Sequence, residues 1–326
     1  MGQLSESLAA FDAALAGAPR FAEAVHNRAV VLRQQGRLEE ALAGFASAAA
    51  LQPGSAETHN SHGWTLHLAG RHEEAPSAYA RALQVRPGDA AVLSNLGATL
   101  QQLGRHAEAV AAYEQALRAD PSGWQTWMNL GVCRHERNDH AGALQAYERA
   151  EAIAPGEPSL AFNRGNALLE LGRFDEALAC LRAVETREGR RDAALEMNLG
   201  NLHRHMGRTK EALAHYERAL AMEPDNPDIH YNFGFCLLLD GQYERGWPEY
   251  EWRWKSRRLG HRDPQLPGRR WLGQEPVAGR SLLLQAEQGL GDTLLMCRYA
   301  PLAAQRGAQV VLAVQKPLVP LMKASF

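Results

Sequence analysis

"NLGATLQQLGRHAEAVAAYEQALRADP" (95–121) and "NLGNLHRHMGRTKEALAHYERALAMEP" (198–224) almost superimpose, although 103 residues separate their starts. Self-similarity of this kind decides the fold before any single element is read. Prolines 19, 53, 87, 121 and 155 stand 34 residues apart, and Pro224 follows after two further periods plus one residue, inserted near "TREGRRDA". Within each period the same residue types return at the same phase. Gly63, Gly97, Gly131, Gly165, Gly200 and Gly234 occupy one phase, and Ala75, Ala109, Ala143, Ala177 and Ala212 another. Four residues after that alanine phase comes an aromatic: Phe45, Tyr79, Tyr113, Tyr147 or Tyr216.

Each unit reads as two antiparallel helices. Glycine and alanine mark where the helices approach most closely, and the aromatic fills the space beside them. Gly70, Gly104, Gly172, Gly207 and Gly241 suit a left-handed position at the turn between helices. The proline then ends the second helix, because it lacks an N–H and clashes with the preceding turn. No single unit can bury its own apolar face, so the units must stack into a solenoid.

The period and the small–aromatic–small–proline pattern resemble the tetratricopeptide repeat. Six full repeats are expected over 22–226, with a half repeat at 1–21 before them and a degenerate seventh repeat and cap at 227–254.

One recurring residue does not follow from packing. Two positions before the first-helix glycine stand Asn95, Asn129, Asn163, Asn198 and Asn232, with Asn27 at the same phase and Ser61 as the exception. Asparagine is a poor helix former, so its return in mid-helix asks for a cause. Equivalent positions line one face of a superhelix, the concave one by expectation, and an amide there offers a donor and an acceptor per repeat. That spacing suits an extended polypeptide. Bonding to the neighbouring repeat's backbone, and simple duplication, are the competing explanations. The array is similar to the repeats of O-linked N-acetylglucosamine transferases, and the resemblance implies that the ladder grips peptide substrates.

Bulk properties exclude several classes. A net charge of −2 gives no general pull toward nucleic acid or anionic membrane. No apolar stretch approaches the ~20 residues of a membrane span, and the acidic start "MGQLSESLAAFDAALAG" is not a signal peptide. Cys133, Cys180, Cys236 and Cys297 form no C-x-x-C pair, which disfavours a disulfide framework or zinc site. A cytoplasmic protein is expected. His59 with His62, and His135 with His140, lack a convincing metal-ligand pattern, so no metal is expected and these histidines read as surface or groove residues. Trp124 and Trp127 read as one core and one groove or edge aromatic.

The period breaks at "GQYERGWPEYEWRW", where Gly246 replaces the usual alanine. Trp247, Trp252, Trp254 and Trp271, with Tyr250, are expected to cap the array and dock the next domain. A Trp/Arg/Pro-rich linker (255–280) contains Pro264, Pro267, Gly268 and Pro276. The basic run Arg253, Lys255, Arg257, Arg258, Arg262, Arg269 and Arg270 is diluted by Glu249, Glu251 and Asp263. It reads as a structural junction in preference to a nucleic-acid patch.

From residue 281 the pattern changes again. "SLLLQAEQ" (281–288) reads as a buried strand, "GLGD" as a turn, 292–307 as a helix with Pro301 a kink, and "AQVVLAV" (308–314) as a second strand. Asp292 suits a helix N-cap. Strand, glycine turn, helix, strand is a βαβ unit, the beginning of a Rossmann-like α/β domain. The fold expected is therefore a mainly α solenoid followed by the start of such a domain.

"GRSLLLQAEQGLGDTLLMCRYAPLAAQRGAQVVLAVQKPLVPLM", preceded by "WLG" and "GWPEYEWRW", resembles the C-terminal region of bacterial tetratricopeptide proteins that are glycosyltransferase-like, with a heptosyltransferase-like B-type fold. The resemblance implies that Asp292 is the general base on an acceptor hydroxyl and that Gly289 and Gly291 let substrate approach the backbone. It also implies a nucleotide-sugar donor and a protein or glycan acceptor for an intact parent. A B-type enzyme needs two Rossmann domains, so this chain alone is expected to be inactive. A purely non-catalytic interaction scaffold is the alternative.

Overall fold

The computed structural model describes residues 2–188, 191–256, 268–273, 275–287 and 289–326. The chain divides into two compact units, 1–255 and 256–326.

The first unit is helical throughout. A lone helix, α1 (Gly2–Gly17), packs on α2. Seven antiparallel pairs follow: α2 (Ala22–Gln34) with α3 (Leu38–Leu51), α4 (Ala56–Leu68) with α5 (Ala75–Val85), and α6 (Ala90–Gln102) with α7 (His106–Ala119). Next come α8 (Trp124–Glu136) with α9 (His140–Ile153), α10 (Pro158–Glu170) with α11 (Phe174–Glu188), α12 (Ala193–His205) with α13 (Thr209–Met222), and α14 (Pro227–Leu239) with α15 (Tyr243–Tyr250).

Local chemistry sets the helix ends. Ser55, Asp89, Asp192 and Asn226 cap first helices by accepting from backbone N–H groups two or three residues on. Second helices stop at a C-cap in extended geometry, as at Asp120 (φ −135°, ψ 93°), because the residue before proline is excluded from the helical region. Between the paired helices, Gly70, Gly104, Gly172, Gly207 and Gly241 have φ of 71–80°. The next N–H reaches back to a carbonyl inside the first helix, as Arg105 N to Leu100 O at 2.9 Å. In the fourth pair Asn138 takes the left-handed position, with φ 63°.

The glycine–aromatic pairing is the centre of each unit. A Cβ at Gly63, Gly97 or Gly200 would stand 2.7–2.8 Å from the ring of Tyr79, Tyr113 or Tyr216 in the same pair, and Gly131 faces Tyr147 in the same way. Gly165 faces Leu181 instead. All four tyrosines are essentially buried, and burial raises their phenol pKa. In the seventh pair the backbone N of Tyr250 stands 2.5 Å from the Cβ position of Gly234, so two backbones meet where a ring would lie.

The second unit holds a two-stranded parallel sheet, β1 (Ser281–Gln285) and β2 (Gln309–Ala313), in register from Ser281↔Gln309 to Gln285↔Ala313. Between the strands run α16 (Leu290–Met296), a 3-10 turn (Cys297–Tyr299) and α17 (Ala300–Gln305), and α18 (Val319–Ser325) follows β2. The connection is not one helix kinked at Pro301. The 3-10 turn comes first, and the proline then sits in the first turn of α17, where its missing N–H costs nothing. Both strands are shorter than expected. Leu283 and Val311, paired across the sheet, are 42% and 55% exposed.

Candidate interaction face and loop sites

First helices of successive repeats touch one another, whereas second helices reach the next repeat chiefly through its first helix. The row of first helices is therefore the inner wall of the array. Side chains stitch this wall: His26 Nδ1 to Thr58 Oγ1, His67 Nδ1 to Thr99 Oγ1 and Ser94 Oγ to Thr126 Oγ1, each at 3.0 Å and each 32 residues apart.

All six asparagines of the ladder are half-buried on these first helices. Asn95 Nδ2 donates to Asn60 Oδ1 at 3.1 Å and Asn198 Nδ2 to Asn166 Oδ1 at 2.9 Å, so both bond the side chain of the preceding repeat. Asn232 Nδ2 turns onto its own helix, at Asp228 O (2.9 Å). Among the described residues, the side chains of Asn27, Asn129 and Asn163 make no hydrogen bond, and none of the six bonds a neighbouring repeat's backbone. Immediately before four of the asparagines stand Met128, Phe162, Met197 and Tyr231, each half-buried. The face thus alternates amides with apolar surface, a feature the recurring asparagines hid.

Of the histidines read as surface or groove residues, His62, His135 and His140 are half-buried and His59 departs from that reading. His59 is buried, and its Nε2 meets Pro53 O at 2.8 Å. Trp127 Nε1 donates to Pro121 O at 3.0 Å, and His230 Nε2 meets Pro224 O at 2.6 Å. The three share one phase, and each ties a first helix to the proline that ends the preceding repeat. A ring nitrogen thus serves the carbonyl of each of these prolines. Burial, followed by the nearby His59, lowers the pKa of His62. Trp124 and Trp127 both pack against the core at partial exposure.

At the end of the array, Trp252 stacks on His230 (3.8 Å, 8°), whose other nitrogen bonds Glu249. Arg253 is buried between Tyr250 and Trp254 and donates to Glu251 Oε1 at 2.6 Å, while Lys255 Nζ lies 3.6 Å from the Trp252 ring centre. Arg253 is thus spent inside the protein, whereas Lys255 lies on the surface with its ammonium over the Trp252 ring. Trp247 departs from the expected cap: the residue is 49% exposed, with its ring edge-on to Tyr250. Trp271 belongs to the second unit, where its Nε1 donates to Glu275 O at 2.8 Å. Arg257, Arg258, Arg262, Asp263, Pro264 and Pro267 lie outside the described residues, as do Gly189 and Arg190 of the insertion.

In the loop after β1 the helix cap is Gly289, not Asp292. The chain turns helical at Leu290, which places Asp292 exposed within the first turn. Gly289 has φ −65°, and a Cβ at Gly291 would meet no atom within 4 Å. Asp292, Gly289 and Gly291 are thus brought together at the carboxyl end of β1, open to solvent.

Models of the tetratricopeptide repeat match residues 20–87, 94–158, 162–227 and 215–247. The chain belongs to the tetratricopeptide-repeat family. Protein FlbA of Caulobacter vibrioides is 27% identical over 212 residues, which are 53% of this chain and 35% of that one. The chain therefore spans about a third of the length of this curated relative. Among solved structures, a tetratricopeptide repeat protein from Parabacteroides merdae aligns with a TM-score of 0.60 at 17% identity, covering 74% of this chain and 93% of that one. Cut9 with Hcn1, an APC/C hetero-tetramer, reaches 0.60 at 18% identity, covering 72% and 46%. PilF of Pseudomonas aeruginosa reaches 0.57 at 19%, covering 68% and 97%. At these identities the likeness is one of fold. As a tetratricopeptide-repeat protein the chain is a scaffold suited to protein interaction. None of its described helices is long and apolar enough to cross a membrane.

Proposed function

We propose that the inner face of the repeat array binds an extended polypeptide, with Asn27, Asn129 and Asn163 contacting its backbone. The single observation that carries this reading is the set of amides without hydrogen bonds at one phase of the first helices, beside half-buried Met128 and Phe162. An asparagine amide matches a peptide unit donor for acceptor, and the apolar neighbours offer seats for side chains between those contacts. A neighbour in fold, Cut9, stands in a hetero-tetramer with Hcn1, which is a use of the same architecture to hold another protein. Asn95 and Asn198 keep the wall in register and present their remaining amide atoms.

The test is an array of unstructured 15-residue peptides probed with the labelled protein, with the strongest hits carried into fluorescence anisotropy. Replacing Asn27, Asn129 and Asn163 by alanine removes contacts of about 1 kcal/mol each, or about a hundredfold in Kd together. Unchanged affinity in the triple variant rejects the ladder.

A second reading rests on the parallel pairing of β1 and β2 around α16 and α17. In a longer parent carrying a donor-binding domain, Asp292 acts as general base on an acceptor hydroxyl, protein or glycan, with a nucleotide-sugar as donor. Asp292→Ala in that parent should abolish sugar transfer and leave peptide affinity unaltered, and retained transfer would dispose of the assignment. Without such a parent activity the chain is a non-catalytic scaffold.

A further inference from the structure

Two adjacent repeats bring three unlike donor atoms together at the start of α7. His106 is the first residue of that helix, and α8 of the next repeat carries Cys133 and Glu136, three residues apart. His106 Nδ1 lies 4.0 Å from Cys133 Sγ and 3.4 Å from Glu136 Oε2. All three donor atoms fall within 4.8 Å of one another. In tetrahedral zinc, bonds of about 2.1 Å to nitrogen or oxygen and about 2.3 Å to sulfur place N and O about 3.4 Å apart, and N and S about 3.6 Å. Nitrogen and oxygen already stand at chelating separation, and the sulfur has to close on the nitrogen by roughly 0.4 Å and on the carboxylate oxygen by up to about 1.2 Å.

The carboxylate is also held in place. Gln101 Nε2 donates to Glu136 Oε2 at 2.8 Å, and Gln101 Oε1 accepts from the hydroxyl of Tyr113 at 3.2 Å. Ligating carboxylates are tethered by outer partners of this kind.

The bland explanation is that Cys133 merely packs, since its thiol also donates to His106 O at 3.5 Å. The molecule contains its own comparison. Cys236 occupies the equivalent seat, 27 residues from Thr209, the first residue of α13, and donates to Thr209 O at 3.9 Å. There the position three beyond the cysteine is Leu239. The seat for a thiol therefore recurs in the array, and so do imidazole and carboxylate, as His140 and Glu170 one period on, where Ala167 stands in place of the thiol; among the described residues the Cys133 copy unites all three donors. The side chains of His106 and Glu136 are 34% and 43% exposed, so core packing does not require them.

We propose that His106, Cys133 and Glu136 form a three-ligand site for a zinc-class divalent cation, with a fourth position open to water or an incoming ligand. One nitrogen, one thiolate and one carboxylate suit a borderline-soft ion and disfavour magnesium or calcium. The site is independent of the peptide-binding reading.

The test uses the full chain stripped with a chelator and titrated with Co2+, then with Zn2+ as competitor. One equivalent of Co2+ with a thiolate-to-cobalt charge-transfer band, displaced by Zn2+, is the expected result. Cys133→Ser should erase the band. His106→Ala, at a partly exposed position that leaves the circular dichroism unchanged, should weaken binding by more than the roughly tenfold that loss of an outer partner brings. Cys236→Ser should alter neither stoichiometry nor affinity. No band in the parent protein, a band that survives Cys133→Ser, or equal affinity in His106→Ala overturns the proposal. So does cobalt bound without thiolate, as at the His135–His140 pair.

Discussion

Gly97→Ala isolates the contact on which every repeat is built. The new methyl would stand 2.7, 2.8 and 2.9 Å from Cε1, Cδ1 and Cζ of Tyr113, where carbon atoms settle at roughly 3.5–4.0 Å. The ring has nowhere to withdraw, being fully buried with its hydroxyl on Gln101. Overpacking of this order costs about 1–3 kcal/mol. Alanine is worth about 1 kcal/mol more than glycine in a helix interior, so the net loss should be about 1 kcal/mol. The sign reverses when the ring is absent. In a Tyr113→Ala background, itself several kcal/mol less stable, Gly97→Ala should stabilise by up to about 1 kcal/mol. The coupling across the cycle is then about 2 kcal/mol. Urea unfolding followed by tryptophan fluorescence and by circular dichroism reads both backgrounds. A Gly97→Ala effect of equal size and sign in each would refute the argument, since glycine would then be serving something other than the ring.

The same geometry sets further outcomes. Burial lowers the pKa of His26, His62, His67, His203 and His205. The unfolded chain therefore binds more protons below its own histidine pKa of about 6.5. Stability from this source is complete above that pH and is lost as pH falls toward the depressed native values. The urea midpoint should drop between pH 7.5 and 5, and a flat profile would count against it. The paired glutamates Glu40, Glu74, Glu108 and Glu176, held low by Arg37, Arg71, Arg105 and Arg173, act in a lower window, below the ordinary glutamate range. Asn138→Gly should raise stability by up to about 1 kcal/mol, and Gly104→Ala should lower it by about 1–2 kcal/mol, because both positions are left-handed. Denaturant titration of the two variants checks the pair of opposite signs.

Much of the molecule was legible because it repeats. A proline every 34 residues, a left-handed glycine at the turn and a glycine facing an aromatic are local requirements, and each can be read at its own position. Asn138 was missed because asparagine tolerates the same backbone without announcing it. The asparagine phase was visible, but not that Asn95 and Asn198 spend their amides on neighbours while Asn129 and Asn163 keep theirs. His59 reads as a surface or groove residue because its partner, the carbonyl of Pro53, belongs to the backbone and has no signature in sequence. The loop residues Gly289, Gly291 and Asp292 were seen as a group, whereas the cap passed to Gly289 because the helix began two residues early.

By itself the sequence determined the helix pairs, their turns and the order of the repeats, since propensity, proline sterics and close packing act over a few residues. Only the tertiary structure decided which polar groups remain available and which donors meet. Residues 27 to 35 apart come together across the seam between repeats, as Asn95 with Asn60 and Cys133 with His106 do. How closely they meet depends on the tilt of one helix pair against the next, which no single repeat encodes.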